Sequence, residues 1–242
     1  MTCLSIIPAR GGSKSIPLKN ISLLAGRPLI DYSVIPAMQS KMVGRVICNT
    51  DHADISNHCR TLGADVYNRP PSLGGDDVSV IDVLREMLLA LRASVGGLAE
   101  DIVLLMQPTS PFVKAEHIDA LLEMLTNTPE LGSAQTIVRC PHNHHAINQR
   151  IVNGHGNLEF RFPEERARAY NKQKKPQHFL FGNLIAFRVD AFLEQNTVFA
   201  LPGRGLEIEQ PYDFDADNAW DFQVADALLS AGLVELPHMG AA

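Results

Sequence analysis

The fold is decided by residues 3–20, CLSIIPARGGSKSIPLKN, in which a short apolar run leads directly into a glycine-rich loop. Residues 4–8 are continuous and apolar, which is typical of a strand buried on both faces of a parallel sheet. Gly11 and Gly12 follow this strand, where paired glycines let successive backbone N–H groups turn inward and form an anion-binding concavity. The stretch therefore predicts an anion site at the end of the first strand.

Three cationic side chains flank these glycines. Arg10 offers a bidentate donor for phosphate, and Lys14 and Lys19 add point charges. The loop has neither the GxxxxGKS/T of P-loop proteins nor the GxGxxG of dinucleotide folds. A glycine-rich surface turn with solvated cations is the simpler alternative, but the density of cations favours a phosphate ligand.

Outward from this loop, short apolar runs alternate with helically spaced segments. Strands are predicted at residues 4–8, 45–48, 64–67, 102–106, 133–138 and 179–187, and helices at residues 30–38, 51–62, 78–93, 116–125 and near 220–230. Gly63 is the expected stop of the second helix. The alternation predicts an α/β domain with a mostly parallel sheet flanked by helices, which binds its ligand at the carboxyl ends of the strands.

Composition limits the function classes. The 242 residues are 45% hydrophobic and 20% charged, which indicates one large folded domain. The net charge of −6 disfavours a nucleic-acid partner. No run approaches the roughly 18 apolar residues of a membrane span, and no signal-peptide core is present, so a soluble, cytoplasmic protein with no membrane partner is expected. The cysteines are scattered, without metal-type spacing, and are expected to be buried thiols of a reducing compartment: Cys3, Cys48, Cys59 and Cys140.

The alternation breaks at about residues 140–178, a stretch with little periodic apolar content and a basic run from Arg161 to Lys175. A disordered loop of this length inside a compact domain is unusual. The interpretation is therefore a single domain over residues 1–242, with an excursion at about 140–178 that covers substrate or packs on a second subunit. A homodimer is the expected assembly.

Residues 6–21, IIPARGGSKSIPLKNI, closely resemble the N-terminal signature of the cytidylyltransferases that activate acidic sugars, the acylneuraminate cytidylyltransferase family. The resemblance implies a Rossmann-like, mononucleotide-binding nucleotidyltransferase fold whose loop wraps the triphosphate of CTP. The nucleotide-binding residues that it implies in this loop are Ala9, Arg10, Gly11, Gly12, Ser13, Lys14, Lys19 and Asn20.

Four further segments resemble family elements in the family's order. They are Asn49-Thr50-Asp51, the RP…L..D-like stretch at 68–76, the LMQPTSP segment at 105–111 and the late acidic element DFDADNAWD at 213–221. The resemblance implies that Arg69 contacts the cytosine or its ribose and that Asp76 also lies at the nucleotide. It implies substrate-binding residues for the acid sugar at Gln107, Thr109, Ser110, His144 and His145. A zinc site at the histidines is disfavoured, because C-x-H-x-H-H is not a recognised ligand spacing.

The late acidic element has metal-binding potential. Asp215 and Asp217 stand at i, i+2, so on an extended segment both reach one hard cation such as Mg²⁺. Asp213 continues the spacing, so spacing alone leaves the pair open, and only the family alignment selects Asp215 and Asp217. Acidic residues also favour a helix N-terminus, and Asp217 or Asn218 can serve as the cap at the same time.

Three positions depart from the family pattern. Ser15 replaces a usual glycine, Asn148 stands where sialic-acid enzymes tend to carry a lysine that reaches substrate, and residues 180–184, LFGNL, lack an expected arginine. The nucleotide half of the site therefore matches better than the acid half. The acceptor is expected to be a nonulosonic acid of sialic, legionaminic or pseudaminic type, or another small acid.

These parts imply transfer of CMP from CTP to an acidic sugar with release of pyrophosphate. Arg10 and Lys19 would offset charge on the leaving group, while a metal-lowered hydroxyl pKa or a carboxylate such as Asp215 would serve as general base, a choice that the sequence leaves open. One alternative is nucleotidyl transfer to a phosphonate or from another nucleotide. A non-catalytic nucleotide-binding module is the other alternative, and retention of the metal pair argues against it.

Overall fold

The chain is built around a seven-stranded sheet, seen in a computed structural model that describes residues 3–94, 97–169, 171 and 175–239. The strands are β1 (Cys3–Pro8), β2 (Leu23–Leu24), β3 (Arg27–Pro28), β4 (Val43–Thr50), β5 (Asp65–Asn68), β6 (Ile102–Met106), β7 (Ser133–Arg139), β8 (Arg150–Val152), β9 (Leu158–Phe160), β10 (Phe179–Arg188) and β11 (Gly203–Glu207). The helices are α1 (Asp31–Gln39), α2 (Ala53–Thr61), α3 (Val80–Ala93), α4 (Ala115–Thr126), α5 (Pro163–Arg168), α6 (Val189–Gln195) and α7 (Ala219–Ser230).

The sheet order is β11-β7-β10-β6-β1-β4-β5. β1 is parallel to both β4 and β6, β4 is parallel to β5, and β11 is parallel to β7. Only β10 runs against its neighbours β6 and β7 within this sheet. The predicted mostly parallel sheet flanked by helices is therefore confirmed. The carboxyl ends of β1, β4 and β6 meet at one edge, directly before the segments that carry the predicted site residues.

The two faces of the sheet are covered by different helices. Leu4 and Ile6 are fully buried and pack in one core cluster with Leu84 of α3. Ile7 points to the opposite face and packs in a second cluster with Val34 of α1. Because successive side chains of a strand alternate between faces, a continuous apolar run is what a strand buried on both faces requires.

The predicted elements agree with the structure to within about two residues at most ends. The helix predicted at 78–93 is α3, and it begins after Ser79, whose Oγ accepts a hydrogen bond from the backbone N–H of Asp82 at 3.1 Å. The helix predicted at 51–62 is α2, and Gly63 follows its end with φ of 90°. This left-handed conformation favours glycine, so the expected stop is confirmed.

The excursion at 140–178 has secondary structure of its own. It contains the β8–β9 hairpin and α5, so its described part is not a structureless loop. Lys172 and Lys174 of the basic run lie outside the described residues. The short elements α6, β11 and the β2–β3 ladder were not predicted. No helix in the described ranges is long and apolar enough to span a membrane.

Candidate active site

The glycine-rich loop continues from β1 and is fixed by contacts with the end of β4. The backbone N–H of Ala9 donates to the Asn49 carbonyl at 2.9 Å, and that of Gly11 donates to Asp51 Oδ1 at 2.8 Å. A Cβ on Gly11 would lie 2.7 Å from Cδ2 of His52, so this position needs glycine because the chain passes close to that ring. The N–H of Gly11 is therefore already satisfied by a carboxylate, whereas Gly12 is open to its surroundings.

Arg10 and Lys14 of this loop converge on one carboxylate. Arg10 Nη1 lies 2.8 Å from Asp76 Oδ1, and Lys14 Nζ lies 2.8 Å from Asp76 Oδ2. The hydrogen bond and charge of Lys14, with the charge of Arg10, hold the pKa of Asp76 below its ordinary value against the opposing effect of partial desolvation. The two cations and Asp76 thus form one bridge across the cavity.

Lys19 reaches the late acidic element instead. Its Nζ donates to Asp217 Oδ1 at 3.0 Å and to the Ala216 carbonyl at 3.2 Å, and its side chain is only 11% exposed. Asn218 caps α7, and Asp221 completes the capping box by accepting from the Asn218 N–H at 2.9 Å. The alternative role predicted for this element, a helix N-terminus, therefore coexists with a carboxylate that faces the cavity.

Asp215 lies next to Asp217. Partial desolvation of the Asp215 carboxyl and the nearby charge of Asp217 raise its pKa, against a hydrogen bond from Thr109 and the charge of Lys19. Thr109 also fixes the backbone here, because its carbonyl accepts from the Ala216 N–H at 2.7 Å. The structure thus brings together the pair that the family alignment selects.

Oxygen ligands from two adjacent carboxylates suit Mg²⁺, which keeps most of its coordination for water and phosphate oxygens. No group of three or more His, Cys, Asp or Glu side chains that could hold a metal occurs in the described ranges. The donor set therefore fits an open two-carboxylate site and not a closed structural metal site.

Arg69 forms part of the cavity wall from the β4 side. The residue is 8% exposed, and its Nε and Nη2 donate to Asn49 Oδ1 at 2.7 Å and to the Asn49 carbonyl at 3.1 Å. Burial lowers the pKa of its guanidinium. A guanidinium has five N–H donors, so donors remain for a ligand after these two bonds.

A cavity of about 790 Å³ joins these groups at the carboxyl edge of the sheet. Of the residues predicted to form the site, those that line it are Arg10, Ser13, Lys14, Lys19, Asn20, Arg69, Asp76, Gln107, Thr109 and Asp217. Those that do not line it are Ala9, Gly11, Gly12, Ser110, Asp215, His144 and His145. Lining residues that the sequence did not indicate include Ser15, Asp77, Val78, Val80, Val83 and Asn218. The valines could not be recognised as site residues from the sequence, because their spacing at the start of an amphipathic helix indicates packing against the core.

A family model described as Cytidylyltransferase matches residues 4–195, which is most of the chain. The chain belongs to the cytidylyltransferase family. It is 38% identical over 150 residues to N-acylneuraminate cytidylyltransferase of Oncorhynchus mykiss, covering 62% of this chain and 32% of that protein. It is also 38% identical over 125 residues to CMP-N,N'-diacetyllegionaminic acid synthase of Legionella pneumophila, covering 51% of this chain and 53% of that protein. The matched parts thus span about half or less of these relatives.

Among solved structures, CMP:2-keto-3-deoxy-manno-octonic acid synthetase complexed with CTP superposes with a TM-score of 0.70 at 18% identity. The superposition covers 96% of this chain and 100% of that chain. At this identity the likeness establishes the fold, and it confirms the predicted Rossmann-like architecture.

In this member of the family, Ser15 and Asn183 have local roles at two positions that depart from the family pattern. Ser15 Oγ donates to the Asp217 carbonyl at 2.7 Å, so the serine connects the glycine-rich loop to the late acidic element. Asn183 is 2% exposed, and its Nδ2 donates to the carbonyls of Phe112 and Tyr212 at 3.1 and 2.8 Å. The residue that stands near the expected arginine is therefore a buried structural amide.

The two neighbouring histidines occupy different environments. His145 is 4% exposed, its Nε2 lies 2.8 Å from the Pro176 carbonyl, and its ring stacks on His178 at 4.1 Å. Its Nδ1 accepts from the Ile147 N–H, so both ring nitrogens are engaged inside the excursion. His144 is exposed. The structure therefore does not bring either histidine to the cavity, and their role toward substrate stays a prediction.

Proposed function

We propose that this chain transfers CMP from CTP to a carboxylated sugar of the nonulosonic type and releases pyrophosphate. The observation that carries the proposal is one cavity lined by Arg10, Lys14 and Lys19 from the loop side and by Asp217 from the late acidic element. Asp215 does not line the cavity but lies next to Asp217. A triphosphate needs the cations, and a divalent cation that accompanies it needs the carboxylates. Family membership and the acid-sugar names of the similar relatives support the same reaction.

The chemistry is a displacement at the α-phosphorus of CTP. The sugar hydroxyl oxygen forms a bond to this phosphorus, the bond to the bridging oxygen of the β-phosphate breaks, and the hydroxyl proton leaves to solvent or to a base. Arg10 and Lys19 would neutralise charge on the departing pyrophosphate, and Arg69 would orient the nucleoside with its remaining donors. Mg²⁺ held by Asp215 and Asp217 would supply charge neutralisation on the phosphates.

Cations of the excursion support the part of the proposal that concerns binding of the acidic sugar. Arg166 Nη1 and Lys175 Nζ both donate to Asn148 Oδ1, at 2.8 and 2.7 Å, and Arg150 donates to the Asn148 carbonyl at 3.0 Å. Partial desolvation and the charge of Arg166 lower the pKa of Lys175. Three cations thus surround a neutral residue, and within the described ranges none of them forms an ion pair with a carboxylate. These residues do not line the cavity, but a substrate carboxylate is the group that such a cluster would attract.

We also propose that the chain acts as a homodimer through the excursion and the adjoining surface at the start of β10. Apolar side chains are exposed on β8–β9, on the first half of β10 and after α6: Ile151, Val152, Leu158, Phe179, Leu180, Phe181, Phe199 and Leu201. Phe181 and Phe199 contact each other edge to face at 6.2 Å. Exposed apolar side chains that lie together, as Phe181 and Phe199 do, are typical of a protein–protein contact.

The reaction is tested by measuring pyrophosphate release with CTP and Mg²⁺ across a panel of 2-keto sugar acids and small phosphonates. Release that depends on a sugar acid, and that is lost with Lys19→Gln but kept with Lys41→Gln, is the expected result. Release with another nucleotide but not CTP, or with a phosphonate alone, would replace the proposed substrates. No release with any pair would contradict the enzymatic function.

The dimer is tested by light scattering with Phe181→Asp, and Leu233→Asp is a control because Leu233 is also exposed but lies after α7. We expect only the first variant to become monomeric. If the unsubstituted chain is itself a monomer at micromolar concentration, the interface is wrong.

A further inference from the structure

The segment between the 3-10 turn Pro71–Leu73 and α3 forms a wall of the cavity opposite the glycine-rich loop. Asp76 lies in this segment, and each of its carboxylate oxygens accepts from a different cation, Oδ1 from Arg10 and Oδ2 from Lys14. Both distances are 2.8 Å, the usual length of a charge-assisted hydrogen bond. Asp76 therefore holds the two cations in the way that a phosphate group with two oxygens would.

The Asp76 carboxylate therefore places a negative charge at the position where the proposed polyphosphate ligand would bring several further negative charges. Arg10 and Lys14 line the cavity and are the cations that a polyphosphate would bind. A fixed carboxylate beside that polyphosphate would repel it, since like charges at close range disfavour each other. The bridge and a bound polyphosphate therefore compete for the same donors.

The exposure of the three side chains decides which competitor is favoured. The side chains of Arg10, Lys14 and Asp76 are 36%, 79% and 41% exposed, so their ion pairs are solvent-screened and weak. A polyphosphate with several charges can displace such a carboxylate, whereas a singly charged anion gains little by doing so. Gly74 and Gly75 precede Asp76 and give the segment the backbone freedom that such a displacement needs.

We propose that Asp76 is an internal anion that occupies the phosphate subsite when no polyphosphate is bound, orients Arg10 and Lys14, and is displaced by an incoming polyphosphate. The inference rests on the proposed function for the identity of the natural ligand. At product release, the Asp76 carboxylate binds the two cations again and so promotes departure of pyrophosphate. Asp76 is thus a positioning residue that lowers ligand affinity while it speeds turnover.

The test uses Asp76→Asn, which keeps the shape and removes the charge, with Asp77→Asn as its matched control. Asp77 is adjacent, also lines the cavity, and forms no ion pair in the described part of the chain. Calorimetric titration with inorganic tripolyphosphate in EDTA reports on the cations without any need for CTP or metal. We expect Asp76→Asn to bind tripolyphosphate about 3- to 10-fold more tightly, the range of two exposed ion pairs, and Asp77→Asn to stay within about twofold.

Unchanged or weaker binding by Asp76→Asn would overturn the proposal, because Asp76 would then only support the cations. An equal gain in both variants would also overturn it, since general charge repulsion would explain the effect. Asp76→Glu keeps the carboxylate, so we expect it to bind tripolyphosphate as tightly as the unsubstituted chain does. This variant separates the effect of the lost charge from the effect of a disturbed loop. Because the probe is inorganic, loss of the CTP reaction would contradict the proposed function and leave this result standing.

In turnover with the acceptor found above, Asp76→Asn is expected to lower KM for CTP and also kcat, with pyrophosphate a stronger product inhibitor. A fall in kcat with raised KM would be the signature of disordered cations and would contradict the displacement.

Discussion

Replacing Asn183 by leucine tests whether one buried amide holds the site segments against the sheet. Asn183 Nδ2 donates to the carbonyls of Phe112 and Tyr212, at 3.1 and 2.8 Å, and its Oδ1 accepts from Thr136 Oγ1 at 3.0 Å. Phe112 follows the segment that carries Thr109, and Tyr212 immediately precedes the late acidic element. The amide therefore connects β10 to both segments that lead to the Asp215–Asp217 pair.

The magnitude follows from the groups left without partners. Asn183 is 2% exposed, and Phe112 and Tyr212 are 0% and 7% exposed, so water cannot replace the amide donors without rearrangement. Each buried carbonyl that loses its donor costs about 1–3 kcal/mol, and Thr136 Oγ1 keeps a second acceptor in the Leu184 carbonyl at 3.3 Å. Leucine is close in volume and regains some apolar burial, so we expect a loss of about 2–5 kcal/mol in the free energy of unfolding.

The assay is equilibrium unfolding in urea followed by circular dichroism. For an m-value of about 3 kcal/mol/M, such a loss lowers the midpoint by roughly 1 M at an unchanged slope. Asn57→Leu is the control, because Asn57 is exposed on α2 and a surface change of this kind stays within about 0.5 kcal/mol. A loss below about 1 kcal/mol for Asn183→Leu would refute the reasoning, since it would mean that the two carbonyls find other donors.

Three further outcomes are expected. Lys19→Gln should lower kcat/KM by about 100-fold or more, in the range of other charge-stabilising groups at phosphoryl or acyl centres, while Lys41→Gln does not, as measured by initial rates of pyrophosphate release. An aromatic disulfide reagent should label Cys140 first and the three buried thiols only after unfolding, counted by mass spectrometry with and without urea. Gly11→Ala should weaken nucleotide binding through its clash with His52, and Gly11→Ala with His52→Ala should recover part of the loss in the same titration.

The fold was predictable wherever an apolar run was long enough to show its period. β1 and β6 are buried on both faces and appear in the sequence as apolar runs, which only Ser5 of β1 interrupts. β11 was missed because its five residues, GRGLE, include two glycines and are mostly exposed at the sheet edge. α6 was missed because seven residues directly after β10 are too few to show a helical period.

The site was predictable from short motifs but its contacts were not. The loop glycines and cations stand close together in the sequence, and residue types at this spacing indicate phosphate without any knowledge of the fold. The Ser15–Asp217 and Lys19–Asp217 contacts join residues about 200 positions apart, so only the folded chain shows which carboxylate each cation meets. The same limit applies to His145, for which the family resemblance implied a substrate contact and whose two ring nitrogens are engaged within the excursion.

All three loop cations are paired in the cavity, but burial divides them into two kinds. The Lys19 side chain is 11% exposed and donates to the carbonyl of the buried residue Ala216 as well as to the exposed Asp217, whereas Arg10 and Lys14 meet Asp76 in contact with solvent. Salt screens exposed pairs much more strongly than buried ones. Raising ionic strength should therefore loosen the Asp76 bridge and weaken a polyphosphate's hold on Arg10 and Lys14 together, while Lys19 keeps its hydrogen bond to the Ala216 carbonyl. Under the proposed function, Lys19 would therefore fix the position of the polyphosphate, and Arg10 with Lys14 would determine how readily it enters and leaves.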